Sequence, residues 1–568
     1  MFFTILRQSL RMLRRQRLFS LIHVIGLAIG LAACAVIALF IREELSFDRH
    51  LKKVDRLYRV IEVNPAGASG TVSLPYAVGS LAPALMEKIP EVEMAGRLTA
   101  VFSWTVGLEG DPQNVDAMLA ADPAILDLFE LNFIDGDASS ALASPDRVAI
   151  SEKIAHRFFG EEKALGKTLI FDGKRPMTVA GVYEDFPDNS HLIIDVLIPY
   201  VVFGNDPDWE WLDSWYTATI TYVRLKPGAD PQLLEQRLNP LLQTLLPDQP
   251  GITMKLQPVT DIHLRSEQVM WDYAYKKSSE SRVMLFGIIG VGILLLACVN
   301  FMNLATSRSL TRAREVGLRK VVGATRSHLI LHFLVEAVLI AVVALPLALL
   351  LVEMVLPTLR TLAERSLPDI FLYPGWPLLA LLGLTIVAGL LAGTYPAFVL
   401  SSFQPVEILR GNTASGSGRS ILRRVLVTFQ FVLSILLLLV SGMVILQIRF
   451  MQQQPLGFQK DRVVVVRVAD ESERWDRLPL RDEVAADPEV VSASLSQVVP
   501  GTITAEDYVV PDGWTGDPMT INMNIVCDDF IKTMGVDGCQ RTEVRSLASL
   551  RQVFDRDQRS GDASLRVG

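Results

Sequence analysis

The run "LFSLIHVIGLAIGLAACAVIALFI", residues 18–41, decides the fold of this chain. It contains no Lys, Arg, Asp or Glu, and a helix needs about 20 such residues to cross a hydrocarbon layer roughly 30 Å thick. Because lipid offers no hydrogen-bond partners to the backbone, an apolar run of this length is expected to be helical throughout. The sequence therefore predicts a membrane-spanning helix here.

Four further apolar runs of similar length follow, at residues 283–305, 329–351, 377–400 and 425–446. The chain of 568 residues is 50% hydrophobic and 20% charged. This composition is too apolar for an ordinary soluble enzyme and too charged for a protein that lies wholly in lipid. We expect a polytopic α-helical membrane protein with about five transmembrane helices and large parts outside the bilayer.

Basic residues are concentrated in the short segments on one side of these spans. Residues 1–17 contain arginines and no acidic residue, and residues 306–328 and 401–424 are also rich in Lys and Arg. Short basic loops remain on the cytoplasmic side of a membrane. The N-terminus is therefore predicted to be cytoplasmic, whereas the acid-rich segment 42–282 and the short loop 352–376 are predicted to lie outside.

Two features of the N-terminal region, residues 30–34 and residues 1–17, each allow two interpretations. "GLAAC", residues 30–34, resembles the lipobox of cleaved lipoproteins, but the apolar run continues beyond Cys34, which favours an uncleaved anchor. In residues 1–17, apolar side chains recur at helical spacing between arginines. This pattern favours a basic amphipathic helix in the cytoplasmic interface of the membrane, and an unstructured basic flank explains it equally well.

The stretch "FFGEEKALGKTLIF", residues 158–171, ends in Gly-Lys-Thr and invites comparison with phosphate-binding loops. Such loops have four residues between their glycines and lie between a strand and a helix. Here five residues separate Gly160 from Gly166, two of them glutamates. The local pattern also predicts the reverse order, with a capped helix first and a strand from Lys167 onward. The sequence therefore excludes a nucleotide site of this kind.

Several motifs together resemble one family. The longest is "DRVAISEKIAHRFFGEEKALGKTLIFDGKRPMTVAGVYEDFPDNSHL", residues 146–192. The others are "LSFDRHLKKVDRLYRV" (45–60), "IPEVEMAGRL" (89–98), "TDIHLRS" (260–266), "NFMNLATSRSLTRAREVGLRKVVGATRSHLILHFLVEAVL" (300–339) and "GLLAGTYPAFVLSSFQPVEILRG" (389–411). They resemble FtsX-like, MacB-type ABC transporter permeases, and the resemblance extends to about residue 536.

The resemblance implies a permease of the bacterial inner membrane that works with a separate cytoplasmic ABC ATPase. It also implies that the permease passes movement to an extracytoplasmic α+β domain of MacB-like type, here residues 42–282. In this domain strand-like runs alternate with helical segments, and His50, His156, His191 and His263 stand alone in the sequence. No catalytic constellation, metal cluster or cofactor motif is legible, so we expect no enzyme activity in this chain.

The segment "SRSLTRAREVGLRKVVGATRS", residues 307–327, reads as a helix that ends at the left-handed terminator Gly323, with Thr325 or Ser327 as cap of the next span. We interpret it as a coupling helix that docks on the ATPase, with a further apolar face that includes Gly317 and Val321. The alternative is a loop that is basic only because it lies inside. The candidate coupling residues are Arg308, Arg312, Arg314, Glu315, Arg319 and Lys320.

Small residues within the spans predict close helix packing. Gly26 with Gly30, and Gly389 with Gly393, fit the GxxxG spacing, although such pairs also occur on lipid-facing surfaces. His328, His332 and Glu336 recur at i, i+4 and i+8 and therefore share one stripe of a helix. A buried polar patch with Glu336 as its functional member is favoured over a metal site, because no fourth ligand is evident.

The sequence begins a second unit after the linker that precedes residue 425. Residues 447–536 echo the start of the first extracytoplasmic domain and are expected to form part of a second one. The tail, residues 537–568, is rich in arginine and matches no motif of the family, which suggests a truncation or a change of reading frame. A second permease or the missing half-unit is then an expected partner.

The leading functional hypothesis is export driven by the ATPase, with membrane lipid and a periplasmic adaptor as further partners and no nucleic acid. The alternative is an FtsX-like regulatory membrane protein that controls an envelope enzyme. A membrane-anchored enzyme is the third and least favoured hypothesis. The transported substrate leaves no diagnostic pattern in the sequence.

Overall fold

The computed structural model describes residues 17–67, 70–101, 104–115, 117–204, 219–247, 252–269, 272, 276–307, 316–363, 375–402, 417–459, 461–466, 478–497, 499, 505–511, 519–536 and 566–567. The chain divides into two compact units. One comprises residues 1–46 and 279–453, and the other comprises residues 47–278 and 454–568.

The first unit is built from five helices that are long and apolar enough to cross a membrane. In chain order they are α1 (Arg17–Ser46), α2 (Glu280–Ser307), α3 (Arg326–Ala363), α4 (Trp376–Ser401) and α5 (Ser417–Gln453). The predicted fold class of about five transmembrane helices is thereby confirmed. The helices α3 and α4 continue through Pro346 and Pro396 without a break.

The helices α1 to α4 share one apolar core. It is rich in alanine, including Ala28, Ala341 and Ala392, all of which are fully buried. Alanine lets helix backbones approach closely, and close packing replaces the hydrophobic effect as the source of association in lipid. The helix α5 packs against α2, where the side-chain amide of Asn303 donates to Oε1 of Gln430 at 2.8 Å.

Residues 47–278 form an α+β domain. Its strands are β1 (Leu57–Gly67), β2 (Gly70–Leu74), β3 (Val92–Ala100), β4 (Thr105–Leu108), β5 (Asp111–Asn114), β6 (Met118–Ala121), β7 (Phe133–Gly136), β8 (Arg147–Ser151), β9 (Thr168–Phe171), β10 (Arg175–Tyr183), β11 (Val196–Pro199), β12 (Thr219–Leu225) and β13 (Thr253–Pro258). Its helices are Leu81–Lys88, Ala124–Leu128, Ala138–Ala141, Glu152–Phe159, Val201–Gly204, Pro231–Leu245 and Val259–Ile262, with a 3₁₀ turn at Val54–Arg56.

The strands form one mixed sheet of 13 strands in the order β13-β1-β12-β3-β6-β11-β8-β10-β9-β4-β5, with β2 on β1 and β7 on β10. The pairs β6/β11 and β8/β10 are parallel and the other pairs are antiparallel. Several neighbours in this sheet, such as β1 with β12 and β12 with β3, are distant in sequence, so the sheet joins the whole domain. Helix Pro231–Leu245 buries Leu234, Leu238 and Leu242 against one part of the sheet.

The Gly-Lys-Thr stretch has the predicted reversed order. Helix Glu152–Phe159 is capped by Ser151, whose hydroxyl accepts from the Ile154 N–H at 3.4 Å, and strand β9 follows the motif. The stretch therefore does not present a strand followed by a helix N-terminus, which phosphate binding by such a loop requires.

Beyond α5, the described residues contain strands β14 (Ala505–Pro511), β15 (Met519–Met523) and β16 (Arg566–Val567), with helices Leu478–Ala485 and Phe530–Met534. Strands β14 and β15 are antiparallel, and β16 pairs with β14. Val464, in the segment that echoes β1, is exposed and lies outside any strand. The predicted tail from residue 537 lies almost entirely outside the described residues.

Candidate functional site

The connection between α2 and α3 is described from Val316 onward and is helical over residues 316–321. Val316 is only 2% exposed and packs in a small core with Leu329 and Phe333 of α3 and Ala397 and Leu400 of α4. An apolar anchor therefore fixes this short helix to the ends of two membrane helices.

Polar contacts strengthen the same junction. The Nζ of Lys320 donates to the carbonyl of Ser401, the last residue of α4, at 2.7 Å. Such carbonyls at a helix C-terminus have no intrahelical partner and attract positive charge. Gly323 ends the short helix with φ of 96°, as predicted, and the hydroxyl of Thr325 accepts from the His328 N–H at 3.4 Å, where α3 begins.

The opposite side of this short helix exposes three apolar side chains. Leu318, Val321 and Val322 are 68%, 66% and 81% exposed. The sequence prediction placed Gly317 and Val321 on one face, but Gly317 is buried whereas Val321 is exposed. We name residues Leu318, Val321 and Val322 the exposed ridge.

The charged residues proposed for coupling are only partly within the described part of the chain. Arg319 and Lys320 are half-buried beside the exposed ridge. The carbonyl of Arg319 accepts from the Ala324 N–H at 2.9 Å and so helps to close the helix end. Arg308, Arg312, Arg314 and Glu315 lie outside the described residues.

The four glycines proposed for packing lie at helix contacts. A Cβ on Gly30 would lie 2.5 Å from the Cβ of Ala297 in α2, and one on Gly393 would lie 2.6 Å from the Cβ of Ala337 in α3. A Cβ on Gly389 would lie 2.8 Å from the Cα of Val338. The approach at Gly26 is looser, at 3.5 Å from the side-chain nitrogen of Asn300.

The polar stripe on α3 divides into two parts. His328 is exposed, whereas His332 and Glu336 are buried. Among the residues that the structure describes, no group of three or more His, Cys, Asp and Glu side chains is arranged to hold a metal ion. Glu336 therefore remains a proposal for a functional intramembrane carboxylate.

Two histidines of the α+β domain that stand alone in the sequence do not stand alone in the structure. His191 Nδ1 lies 2.8 Å from Oδ1 of Asp48, and its Nε2 lies 2.8 Å from the hydroxyl of Tyr222. His263 stacks on the ring of Phe47, with centroids 3.4 Å apart. All five side chains are buried.

The Asp48 carboxyl is ionised in this network. Burial by itself raises its pKa, but the charge and hydrogen bonds of His191, with the hydroxyl of Ser190, bring the pKa below its usual value. A carboxylate only accepts hydrogen bonds, so Nδ1 of His191 donates to Asp48, while Nε2 shares a second hydrogen bond with the hydroxyl of Tyr222. The three side chains of this network are fully buried, so it holds the entering chain against the sheet.

Sequence reasoning missed these contacts because the partners are 143 residues apart. The available signal was that Asp48, His191 and His263 all occur within motifs that carry the family resemblance, in "LSFDRHL", "NSHL" and "TDIHLRS". The Trp-rich segment 205–218, a further candidate surface, lies outside the described residues.

The structure is that of a multi-pass membrane protein of permease type. The described part of the chain has five long apolar helices, an α+β domain between the first two of them, and a helix between α2 and α3 that is anchored to α3 and α4. Comparison with known families agrees. Residues 20–241 match the MacB-like periplasmic core domain, and residues 287–405 match the FtsX-like permease C-terminal family. The chain belongs to the family of FtsX-like ABC transporter permeases with a MacB-like periplasmic core domain.

Curated relatives include macrolide export ATP-binding/permease proteins MacB. The protein of Escherichia coli strain K12 is 27% identical over 312 residues, covering 52% of this chain and 44% of the relative. That of Neisseria meningitidis serogroup A is 27% identical over 219 residues, covering 38% of this chain and 30% of the relative. The match thus spans less than half the length of these relatives.

Solved structures of similar domains are also known. A domain of a permease protein from Porphyromonas gingivalis is 31% identical, with a TM-score of 0.31, and the match covers 36% of this chain and 91% of that domain. The periplasmic region of MacB from Actinobacillus actinomycetemcomitans is 18% identical, with a TM-score of 0.27, covering 38% of this chain and 96% of that region.

Proposed function

We propose that this chain is a permease subunit that couples ATP hydrolysis by a separate cytoplasmic ATPase to movement of its periplasmic domain, and that this movement drives export. The observation that carries the proposal is the short helix after α2. One side is anchored in α3 and α4 through Val316 and Lys320, and the other side bears the exposed ridge. A partner that binds the ridge can therefore displace two membrane helices.

The chemistry of the ridge fits a groove in a protein partner. Apolar side chains at i, i+3 and i+4 on a helix are the usual anchors of helix-in-groove recognition, and Leu318, Val321 and Val322 have this spacing. Three such exposed side chains next to basic groups are typical of an interaction site and unusual for a solvated loop. The ATP-binding/permease relatives named above, and the family itself, support an ABC ATPase as this partner.

The charge of the loops supports the orientation that this function needs. The short segments 306–328 and 401–424 are basic, which favours a cytoplasmic position for them and for the N-terminus. The exposed ridge then faces the compartment that supplies ATP, and residues 42–282 face the periplasm. The export of a macrolide, which the relatives' names state, is one candidate activity for this chain.

Replacing Leu318 and Val322 together by aspartate tests the docking proposal. We expect the amount of ATPase that copurifies with the tagged full-length chain to fall at least about tenfold, because buried apolar anchors contribute most of the affinity of such interfaces. Val464→Asp, at an exposed valine in the other unit, is the matched control and should have no effect.

Unchanged copurification in the double variant would contradict the proposed docking site. The identity of further partners tests the function itself. A periplasmic adaptor supports export, whereas an envelope hydrolase in its place supports the regulatory alternative.

A further inference from the structure

Two short segments connect the periplasmic domain to the membrane helices. Residues 47–51 directly follow α1, and residues 276–278 lead into α2. Movement of α1 or α2 can pass along the chain to the domain through these segments. How firmly each segment is attached to the domain therefore decides how much of that movement the domain follows.

His263 contacts both segments. Its ring stacks on Phe47 of the first segment, with an angle of 4° between the ring planes. Its Nδ1 donates to the carbonyl of Lys276 at 2.7 Å, and its own carbonyl accepts from the Ser278 N–H at 2.8 Å. One buried residue thus joins the chain that enters the domain to the chain that leaves it.

The loop before β11 makes a second, independent connection between the segments. The Asp48 N–H donates to the carbonyl of Asn189 at 2.8 Å. The Nζ of Lys276 donates to the carbonyl of Asp188 at 2.6 Å. The hydrogen bonds of His191 to Asp48 and to Tyr222 then tie the first segment to β12.

A buried ion pair on the sheet holds the second segment through Lys277. Both carboxylate oxygens of Asp272 accept from the guanidinium of Arg59 in β1, at 2.6 Å and 2.9 Å, and both side chains are fully buried. The Nζ of Lys277 lies 3.1 Å from Oδ2 of the same carboxylate. A bidentate ion pair has a defined geometry, so the contact between Arg59 and Asp272 resists rotation as well as separation.

Buried ion pairs add little net stability compared with well-packed apolar groups, but they hold a defined geometry. Here the pair of Arg59 with Asp272 lies where the chain leaves the domain and attaches Lys277 to β1. The buried Asp48 carboxylate attaches the entering chain to β12 through His191. This placement suits a joint that transmits displacement without bending.

On the basis of the proposed function, we propose that Phe47, Asp48, His191, His263 and residues 276–278 form a connector clasp, through which displacement of α1 and α2 moves the periplasmic domain as one body. His263 is its central positioning residue, because its ring stacks on Phe47 of the first segment and donates a hydrogen bond to Lys276 of the second. Loss of this residue should loosen both segments and leave the sheet intact.

Hydrogen exchange of the full chain in lipid nanodiscs tests the clasp as a joint. In His263→Ala, peptides that contain the amides of Asp48 and Ser278 should exchange about tenfold faster or more, since local opening follows the loss of buried contacts. Peptides from β8 to β10 should keep their exchange rates. His156→Ala is the matched control, because this histidine lies in the same domain with its side chain half exposed.

A distance measurement tests the transmission itself. Spin labels on cysteines at Glu161 and Met354, both exposed, report movement of the domain relative to α3. With the copurified ATPase, the otherwise unsubstituted chain and His156→Ala should show a distance distribution that changes on adding ATP. His263→Ala should lose this change, while its rate of ATP hydrolysis stays within about threefold, because the exposed ridge is untouched.

The two possible failures are distinguishable. If the unsubstituted chain shows no change with ATP, the proposed function fails, and the clasp has no movement to transmit. If the unsubstituted chain responds and His263→Ala responds equally, the proposed function stands and the connector clasp is wrong. Unaltered exchange at Asp48 and Ser278 in His263→Ala would also overturn the clasp.

Discussion

At the scale of single residues, the periplasmic domain buries charge in two different ways. The carboxylates of Asp48 and Asp272 accept hydrogen bonds from His191 and Arg59. Both carboxylates lie close to the points where the chain enters and leaves the domain. Glu62 in β1 is 5% exposed, and burial raises the pKa of its carboxyl to about 7. Glu62 therefore titrates near neutral pH, unlike an ordinary glutamate at about 4.3.

Glu62→Gln is predicted to change how stability depends on pH. A carboxyl whose folded pKa is raised stabilises the fold most below its unfolded pKa, and this contribution is lost as the pH rises through about 7. At pH 8 the variant should be more stable than the unsubstituted chain, by about 4 kcal/mol at most, and near pH 4 the two should be similar.

Thermal unfolding of the full chain in detergent, followed across this pH range, checks the prediction. Glu87→Gln is the control, since Glu87 is exposed on helix Leu81–Lys88. A difference between Glu62→Gln and the unsubstituted chain that is the same at pH 4 and pH 8 would contradict the assigned titration.

At the scale of elements, α3 and α4 can pack closely because α4 has glycines, which lack side chains, at the contact. Gly389 and Gly393 face the backbone and small side chains of Val338 and Ala337. The exposed ridge is anchored to these same two helices. Their packing therefore determines whether a displacement of the ridge moves one helix or both.

Gly389→Ala is predicted to separate α3 from α4. The new methyl would lie 2.8 Å from the Cα of Val338, and backbone atoms cannot move aside as a flexible side chain can. Overpacking of this kind costs about 1–3 kcal/mol. Gly383→Ala, on the same helix, is the control, because a Cβ there has no neighbour within 4 Å among the described atoms.

The midpoint of thermal unfolding in detergent should fall for Gly389→Ala and remain equal or rise slightly for Gly383→Ala, since alanine favours helix over glycine. Equal midpoints for both variants would show that α3 and α4 are not packed as closely as the structure indicates.

At the scale of the whole molecule, the features that depend on local sequence patterns were predicted correctly. Hydropathy alone indicated the five long helices, and the order of helix Glu152–Phe159 and strand β9 followed from capping and turn residues. The sheet order was not predictable, because pairs such as β1 with β12 and β13 join residues far apart in the chain. Long-range pairing depends on the complete core and leaves little local signal.

The same limit applies to the functional residues. The glycine pairs were predicted from their spacing, and the terminator Gly323 from its residue type. Val321 was grouped with the buried Gly317, and Leu318 and Val322 were not recognised, because helical spacing alone does not show which face packs against α3 and α4. His191 and His263 were not recognised as partners of Asp48 and Phe47, since nothing in the local sequence links segments so far apart.

The central claim is that the exposed ridge lies in the cytoplasm and the α+β domain lies on the other side of the membrane. Single cysteines at Val322 and Glu161, in a chain whose Cys539 is replaced by serine, can be tested with a membrane-impermeant maleimide on spheroplasts. The side chain of Glu161 is 98% exposed, and Cys34, Cys298 and Cys527 are buried. We predict labelling at position 161 in intact spheroplasts and at position 322 only after lysis. Labelling of position 322 in intact spheroplasts, with protection of position 161, would contradict the account.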